Sequence, residues 1–392
     1  MTEWIEKKIS ELGTVVGGAT PSTKDEQNYI DGSIPWITPK DLAGFRGRYI
    51  SRGERSITHK GLASCSAQMM PKHSVLFTSR APIGYVAISA NPVCTNQGFK
   101  SVVPNENTDY LFLYYLLKFY KDKIEALGSG TTFKEVSGTT MKNIVVRVPK
   151  EKEKQREIGL ILSSIDDKIE ANEKINHNLQ QQADAIFARE FLDLPALPAG
   201  WTQGSLLDIA NYQNGLAMQK YRPKTTERGI PVLKIKELRQ GVCDDASELC
   251  SESISPEYIV QDGDVIFSWS GTLLVDFWCG GVCGLNQHLF KVTSDRYEKW
   301  FYYAWTRHHL QSFIAYASAM ATTMGHIKRG ELEKAEVLIP SPNDLSRIDS
   351  YLMPIYDAII SNRIENHRLI ELRDTLLPKL MSGEIDVSDV EI

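Results

Sequence analysis

Two stretches of the chain carry apolar residues at every third or fourth position. The first covers residues 158–186 and the second covers residues 348–376, and charged residues occupy the other faces of both. Because an α-helix has ~3.6 residues per turn, this spacing places the apolar side chains on one narrow face, like the seam of a coiled coil. Each stripe needs a partner, and the other stretch supplies it. The pattern therefore predicts two long helices that pair with each other.

A polar residue lies on each seam at an equivalent place. Asn172 is on the first helix, and Asn362 is on the second helix, 190 positions later. An asparagine within a seam can fix the register of two helices. Equally, either side chain can simply lie at a hydrated edge of the pair. The sequence leaves both interpretations open.

Before each helix, the pattern changes to short apolar runs that are typical of β-strands. Runs such as residues 74–78, 100–104 and 144–149 are separated by Gly, Pro and Asn, the residues that favour turns. One largely apolar helical stretch interrupts them in each half of the chain, at residues 109–127 and 297–317. These patterns predict two domains that mix helices and strands.

The two halves of the chain repeat the same landmarks in the same order. Six matches recur at offsets of 190 to 197 residues, which is what a diverged duplication leaves. The matches are Trp4 with Trp201, residues 34–37 with 230–233, residues 74–78 with 264–268, Asn96-Gln97 with Asn286-Gln287, Thr131-Thr132 with Thr322-Thr323, and Pro149 with Pro340.

We therefore predict an α+β fold of two tandem repeats, each a globular α/β domain followed by a long helix. The two helices pair as a coiled coil. Pro195 and Pro198 mark a linker between the repeats, because proline does not continue a helix. The predicted segments are a first domain at 1–150, a first helix at 151–192, the linker at 193–200, a second domain at 201–340, a second helix at 341–382 and a tail at 383–392.

The charge of the chain is distributed unevenly. The net charge is −5, yet residues 1–150 hold 19 Lys and Arg against 13 Asp and Glu. The helical segments are acidic, with 6 basic against 10 acidic residues at 151–200 and 5 against 10 at 341–392. An acidic helix is a poor match for a phosphate backbone. The first domain, with a cluster at Arg46, Arg48, Arg52 and Arg55, is the more basic part.

The sequence is that expected of a cytoplasmic protein. Its first residues mix acidic residues with lysines and lack the apolar segment of a signal peptide. Six Cys in 392 residues do not indicate a disulfide scaffold. Residues 265–285 are long enough to cross a membrane and carry one charge, Asp276, but glycines and serines break them into short pieces, and the apolar runs that remain suit buried strands better.

Motifs for catalysis are missing. The chain has no GxxxxGK[ST] phosphate loop and no GxGxxG loop. It also lacks the F-x-G-x-G and [DNS]-P-P-[YF] signatures expected of an adenine methyltransferase. Cys279 and Cys283 do not have the CxxC spacing of a zinc site, and Asp262 and Asp264 lack a suitably placed lysine for a nuclease. We therefore expect a protein that is not an enzyme and holds no cofactor or metal of its own.

Several of these segments resemble the specificity subunit of type I restriction–modification enzymes, over essentially the whole chain. Residues 152–175 and 346–385 are typical of that family, above all the LLPKLMSGEI ending of the second segment. The paired IPWITPKDL at 34–42 and IPVLKIKEL at 230–238 are also similar to it, as are VLFTSRAPIG at 75–84 and VIFSWSGTLL at 265–274.

The resemblance implies that the two globular domains are target-recognition domains, each reading half of a bipartite, gapped site in double-stranded DNA. It also implies that the two long helices pair as an antiparallel coiled coil and act as a spacer that sets the gap between the half-sites. The implied partners are two methyltransferase (M) subunits, which methylate adenine, and restriction/translocase (R) subunits, which add cleavage. S-adenosylmethionine, ATP and Mg²⁺ belong to those partners, and no membrane is involved.

Polar residues near the repeated landmarks are the candidate DNA contacts. Arg80 has the planar fork that reads guanine, whereas lysines mostly bind phosphate and hydroxyls do either. Its counterpart in the second repeat is Ser270, as expected if the two domains read different sequences. The candidates are Thr38, Lys40, Arg46, Arg48, Ser79, Arg80, Thr131, Thr132 and Lys134 in the first repeat, and Lys234, Lys236, Ser268, Ser270, Thr322, Thr323, His326 and Lys328 in the second.

Two other functions remain as alternatives. The first is a self-contained restriction nuclease or methyltransferase, which the missing motifs disfavour and which binding of S-adenosylmethionine by the isolated chain would support. The second is a stand-alone, sequence-specific DNA-binding or scaffold protein. Co-purification with a methyltransferase distinguishes the second alternative from the specificity subunit.

Overall fold

The computed structural model describes residues 2–130, 134–320 and 326–387. The chain divides into two compact units, Met1–Glu170 with Leu369–Ile392 and Ala171–Arg368. Each unit contains one of the globular repeats together with a section of both long helices. The fold is a mixture of helices and strands, which confirms the predicted fold class.

The first repeat begins with a strand and ends with a long helix. Its elements in chain order are β1 (Trp4–Lys8), α1 (Ile9–Leu12), β2 (Gly13–Gly17), β3 (Ile34–Ile37), α2 (Pro39–Leu42), β4 (Tyr49–Ile50), β5 (Ser56–Ile57), α3 (His59–Ala63), β6 (Val75–Ser79), β7 (Ile83–Ser89), β8 (Cys94–Thr95), β9 (Lys100–Pro104), α4 (Tyr110–Phe119), α5 (Lys121–Ala126), α6 (Gly138–Asn143), β10 (Val145–Pro149) and α7 (Lys152–Phe187). A π-helical turn, Ala188–Leu192, follows α7.

The second repeat has nearly the same order of elements. They are β11 (Thr202–Ser205), α8 (Leu206–Ile209), β12 (Asn211–Asn214), β13 (Ile230–Leu233), α9 (Ile235–Gln240), β14 (Leu249–Cys250), β15 (Ile259–Val260), β16 (Val265–Ser268), β17 (Leu274–Phe277), β18 (Cys283–Leu285), β19 (Leu289–Thr293), α10 (Lys299–Met320), α11 (Arg329–Lys334), β20 (Glu336–Ile339) and α12 (Pro342–Ser382). Residues 265–285 form the strands β16, β17 and β18, and no helix among the described residues is both long and apolar enough to span a membrane.

The sheets of the two repeats have matching topology. In the first repeat the strand orders are β2-β9-β6-β7-β4 and β5-β3-β8, and in the second they are β12-β19-β16-β17 and β14-β13-β18-β15. The first and last strands of each globular part form a separate antiparallel pair, β1 with β10 and β11 with β20. The parallel pairs β3–β8 and β13–β18 also correspond, with Ile37 opposite Thr95 and Leu233 opposite Leu285. The duplication seen in the sequence is therefore a duplication of fold.

In each unit the hydrophobic core continues from the globular repeat into the long helices. In the first unit, α4 packs with Ile158 and Leu162 of α7 and with Leu380 of α12. In the second unit, the aromatic helix α10 packs with Phe187 of α7 and Tyr356 of α12. Burying such side chains contributes roughly 1.5–3 kcal/mol each. The apolar stripes of the helices are thus covered both by each other and by the globular repeats.

Two asparagine pairs join α7 to α12 within the second unit. The Asn172 amide donates to Asn366 Oδ1 at 2.8 Å and to Glu365 at 2.7 Å, and the Asn362 amide donates to Asn176 Oδ1 at 2.9 Å. Residue numbers rise along one helix as they fall along the other, so the helices are antiparallel here. Because Asn172 is only 1% exposed, its amide lies inside the helix pair rather than at a hydrated edge. The structure thus favours the register-fixing interpretation.

Candidate nucleic-acid interface

Three of the landmarks that repeat along the sequence come together at one place in each repeat. In the first repeat, the ends of β2, β3, β6 and β8 and the segment before α6 meet there. We call this group of segments the first loop cluster. It comprises residues 18–20, 38–40, 79–80, 96–98 and 134–136. The equivalent segments of the second repeat form the second loop cluster, which comprises residues 215–217, 234–236, 268–270, 286–288 and 326–328.

Four hydrogen bonds hold the two loop clusters in the same backbone frame. Each bond of the first cluster has a counterpart in the second cluster between residues at equivalent sequence positions. In the first cluster the donor N–H groups and acceptors are Ala19 to Thr95 O (3.0 Å), Asn96 to Ile37 O (3.0 Å), Gly98 to Asn96 Oδ1 (2.9 Å) and Val136 to Ser79 O (3.0 Å). In the second they are Leu216 to Leu285 O (2.9 Å), Asn286 to Leu233 O (3.1 Å), His288 to Asn286 Oδ1 (3.2 Å) and Ile327 to Trp269 O (2.9 Å).

One glycine in each cluster allows a close approach of backbone segments. A Cβ atom on Gly18 would collide with the carbonyl oxygens of Thr95 and Asn96, and one on Gly215 would collide with those of Leu285 and Asn286. Glycine is therefore required at both positions. The sequence analysis did not single out these residues. The signal was present, because Gly18 and Gly215 are 197 positions apart, the same offset as Trp4 and Trp201.

Most of the predicted DNA-contact residues that the structure describes lie in the two clusters. Thr38 is the N-cap residue of α2, and Lys328 is the N-cap residue of α11. Thr131, Thr132, Thr322 and Thr323 lie outside the described residues. The candidates in the first cluster are Thr38, Lys40, Ser79, Arg80 and Lys134, and those in the second are Lys234, Lys236, Ser268, Ser270, His326 and Lys328.

Arg48 is a correction to the predicted set. Its side chain is 4% exposed and lies between the first domain and α7. It donates to the hydroxyl of Tyr115 at 3.4 Å and to the Ser163 carbonyl at 3.2 Å, and it forms ion pairs with Asp166 and Asp167. A guanidinium held in this way anchors the domain to its helix and offers no surface to a base. Arg46, two residues earlier, is exposed and remains a candidate.

Three of the predicted serines are also buried. Ser79 and Ser268 are 0% exposed, and the Ser268 hydroxyl donates to the Thr272 carbonyl at 2.8 Å. Ser270 is 7% exposed, and its hydroxyl bonds His288 Nδ1 at 3.1 Å. These hydroxyls stabilise the turns after β6 and β16 and do not face a ligand. The prediction that they contact DNA is therefore replaced by a structural role.

Acidic side chains pair with many of the cations in and beside the clusters. Glu248 binds Lys234 and also binds Arg222 at 2.7 Å, and these two cations lower the pKa of the Glu248 carboxyl. Lys40 pairs with Glu54 at 2.7 Å, and Lys236 pairs with Asp244 at 3.2 Å. These pairs are solvent-exposed and contribute little to stability. Their effect is to limit the positive charge that each cluster presents.

The polar groups of the two clusters are of the kinds that proteins use to bind nucleic acids. No group of three or more His, Cys, Asp or Glu within the described ranges could hold a metal ion. Besides the Glu135 carboxylate, the clusters carry amide, hydroxyl, imidazole, guanidinium and ammonium groups on a frame of strand ends. Such groups read base edges and bind phosphates. The arrangement therefore suits recognition of a nucleic acid.

Comparison with known proteins agrees with this interpretation. The model of the type I restriction modification DNA specificity domain matches residues 1–181 and 198–372. The type I restriction enzyme MjaIX specificity subunit of Methanocaldococcus jannaschii is 34% identical over an alignment of 414 positions, gaps included, which covers 99% of this chain and 95% of that protein. The HindI specificity subunit of Haemophilus influenzae is 22% identical, and the alignment covers 76% of this chain and 79% of that protein.

A solved structure shares the fold. The crystal structure of a type I restriction–modification system S subunit from M. genitalium matches with a TM-score of 0.63 at 16% identity, covering 97% of this chain and 96% of that one. The family model matches twice, once on each of the repeats found in the sequence. With its match over nearly all residues and a full-length relative at 34% identity, the chain belongs to the type I restriction–modification DNA specificity family.

Proposed function

We propose that this chain reads a bipartite, gapped site in double-stranded DNA for a type I restriction–modification complex. In this proposal residues 1–150 and 201–340 are the target-recognition domains, and each reads one half of the site through its loop cluster. The chain provides the sequence specificity and is not the catalyst, in keeping with its family. Adenine methylation and cleavage are the work of the subunits that it directs.

One observation carries the proposal: the two loop clusters share a backbone frame but differ in side chains. The four equivalent hydrogen bonds hold both frames alike, yet Arg80 is replaced by Ser270 and Gly98 by His288. A frame that is kept while its side chains change is what two readers of different sequences require. Phosphate binding alone would not need different side chains in the two clusters, because the phosphate groups of DNA are the same whatever the base sequence.

The proposed partners follow from the family. Relatives are named specificity subunits of type I restriction enzymes. We infer that two M subunits join this chain, one for each repeat, and that R subunits complete the cleaving complex. S-adenosylmethionine, ATP and Mg²⁺ enter with those subunits. The complex acts on DNA in the cytoplasm, and no membrane takes part.

Mapping of modified adenines tests the proposal. The methylomes of the source organism with and without this gene are compared. We expect deletion to remove methylation at one asymmetric, gapped motif and nowhere else. If no motif is lost and the purified chain still binds one DNA sequence selectively, the stand-alone DNA-binding protein replaces the proposal. If the isolated chain binds S-adenosylmethionine and methylates DNA alone, the self-contained enzyme replaces it.

A further inference from the structure

A line of charged side chains runs from the interior of the first repeat to the surface of its loop cluster. Lys100 on β9, 16% exposed, donates to Glu135 at 3.2 Å and lies 3.5 Å from the Ser79 hydroxyl. The Glu135 carboxylate in turn lies 3.5 Å from Nη1 of Arg80, which is 34% exposed. The three side chains thus lead from a buried strand to one partly exposed guanidinium.

The backbone on both sides of this line is held in place. Glu135 exchanges two hydrogen bonds with Ser129, N–H to carbonyl at 2.9 and 3.1 Å, and the residue after it donates to the Ser79 carbonyl. Ala81, directly after Arg80, has a positive φ of 50°, which residues other than glycine adopt rarely. Its counterpart Gly271 has a φ of 64°. The residue after position 80 and the residue after its counterpart, position 270, thus both have a positive φ.

Arg80 retains donors for a ligand. Among the described residues its one ion pair is with Glu135, and that contact involves a single terminal nitrogen. A guanidinium has five N–H donors in a planar fork. In the major groove, guanine offers two acceptors, O6 and N7, spaced for such a fork, and no other base offers this pair.

We propose that Arg80 reads a guanine in the first half-site and that Glu135, held by Lys100, is the positioning residue that directs it. This inference rests on the proposed function and adds the base and the residues that select it. The carboxylate restrains the long arginine side chain before DNA arrives, so that less rotamer freedom is lost on binding. It also weakens the attraction of Arg80 for phosphate, which favours binding to a base over binding to the backbone.

The second repeat has no arginine at the position equivalent to Arg80. Ser270 stands at the equivalent position, is 7% exposed and is bonded to His288. A buried hydroxyl provides no fork for guanine. The contact proposed for Arg80 therefore has no counterpart at the equivalent position of the second repeat.

Substitutions in the complete complex with its M subunits test the inference. Binding is measured on a DNA library with both half-sites randomised, so that the base preference at every position is read separately. In Arg80→Lys the charge remains but the fork is lost. We expect the preference for guanine to fall roughly 5- to 150-fold at one position of one half-site, the range of a good bidentate contact, while the other half-site is read unchanged.

Glu135→Gln separates positioning from a merely structural role. It is expected to lower the guanine preference at the same position while raising affinity for unrelated DNA, because a negative charge beside the phosphates is removed. A structural defect would lower both. The matched control is Glu54→Gln, which removes another exposed carboxylate, the one that pairs with Lys40. It should raise affinity for unrelated DNA and leave the guanine preference intact.

Two results would overturn the inference. The first is a gapped motif read identically by the wild-type and Arg80→Lys complexes. The second is an equal loss of preference in both half-sites. In either case the proposed function survives, because the complex still reads a gapped motif. If the wild-type complex selects no motif from the library, the proposed function itself fails.

Discussion

Asn172 and Asn366 form a hydrogen bond across the two long helices, with the Asn172 amide donating at 2.8 Å. The bond between Asn362 and Asn176 uses the equivalent positions of the two repeats, since 172 and 362, like 176 and 366, are 190 residues apart. The donor lies on α7 in the first bond and on α12 in the second bond. A register shifted by one helical turn would separate both pairs at once, which makes this polar group a marker of the correct alignment.

Replacing Asn172 with Ala is expected to destabilise the protein. The change removes the buried donor that serves Asn366 and Glu365 and leaves a small gap in the seam. The cost of losing a buried hydrogen bond of this kind is about 1–3 kcal/mol. Thermal denaturation of the full chain measures it as a fall in Tm. Asn178→Ala, at an exposed site on the same helix, is the control and should leave Tm unchanged. Equal Tm values for both variants would show that the asparagine pair does not stabilise the helix pair.

Replacing Gly18 with Ala is expected to abolish reading of the first half-site. The added Cβ has no room against the carbonyl oxygens of Thr95 and Asn96, so the first loop cluster must rearrange. Gly17→Ala is the matched control, because a Cβ at that neighbouring position meets nothing within 4 Å. Base preferences at each half-site are measured with the complete complex. Unchanged recognition by Gly18→Ala would contradict the placement of the interface at this cluster.

The second half-site has a corresponding pair of variants. Gly215→Ala collides with the carbonyl oxygens of Leu285 and Asn286, whereas Gly330→Ala meets nothing within 4 Å. We expect Gly215→Ala to disturb the reading of the second half-site alone. Gly330→Ala should leave the reading of both half-sites unchanged. If Gly215→Ala impaired both half-sites equally, the two clusters would not be independent readers.

Replacing Arg48 with Met is expected to lower stability rather than DNA affinity. Asp166 is 9% exposed at its side chain and would lose one of its cationic partners inside the protein. Asp166 keeps Arg373 at 2.9 Å and the Tyr115 hydroxyl at 2.6 Å, so the cost falls below that of a buried charge left without any partner, about 3–5 kcal/mol. Arg46→Met removes an exposed guanidinium two residues away and should leave Tm unchanged. If Arg46 binds phosphate, this variant lowers the slope of log K against log salt by about 1. The reverse pattern, with Arg48→Met stable and defective in DNA binding, would restore Arg48 as a contact.

Arg46 and Arg48 show which features of this protein the sequence can predict and which it cannot. Spacing alone pairs Asn96 with Asn286 and Arg80 with Ser270, because a duplicated domain keeps its backbone frame as its side chains diverge. The repeats, the long helices and the position of the loop clusters are therefore predictable. Spacing cannot tell Arg46 from Arg48, because both lie in one charged run. Only the packing of α4 and α7 around that loop places one side chain inside and the other in solvent.

The burial of Ser79, Ser268 and Ser270 has the same origin. Serine is compatible with a turn, a buried strand end or a DNA contact, and its hydroxyl takes whichever partner the fold brings near. In this fold the partners are the Thr272 carbonyl for Ser268 and the His288 ring for Ser270. Sequence landmarks thus locate an interface more reliably than they identify the atoms that face a ligand.

Replacing Glu248 with Gln is expected to make DNA binding less selective. Its carboxylate pairs with Lys234 and Arg222 beside the second loop cluster, and removing the charge leaves both cations available to phosphates. Affinity for unrelated DNA should rise, and its dependence on salt should become steeper, because more counterions are released on binding. Affinity for the specific site should rise less, so that the ratio of specific to non-specific binding falls. Fluorescence titrations of both DNAs at several salt concentrations measure these changes.

Glu252→Gln, which removes an exposed carboxylate that has no ion pair among the described residues, is the control for the general effect of net charge. The same change in salt dependence for both variants would show that the Glu248 pairs do not restrain non-specific binding.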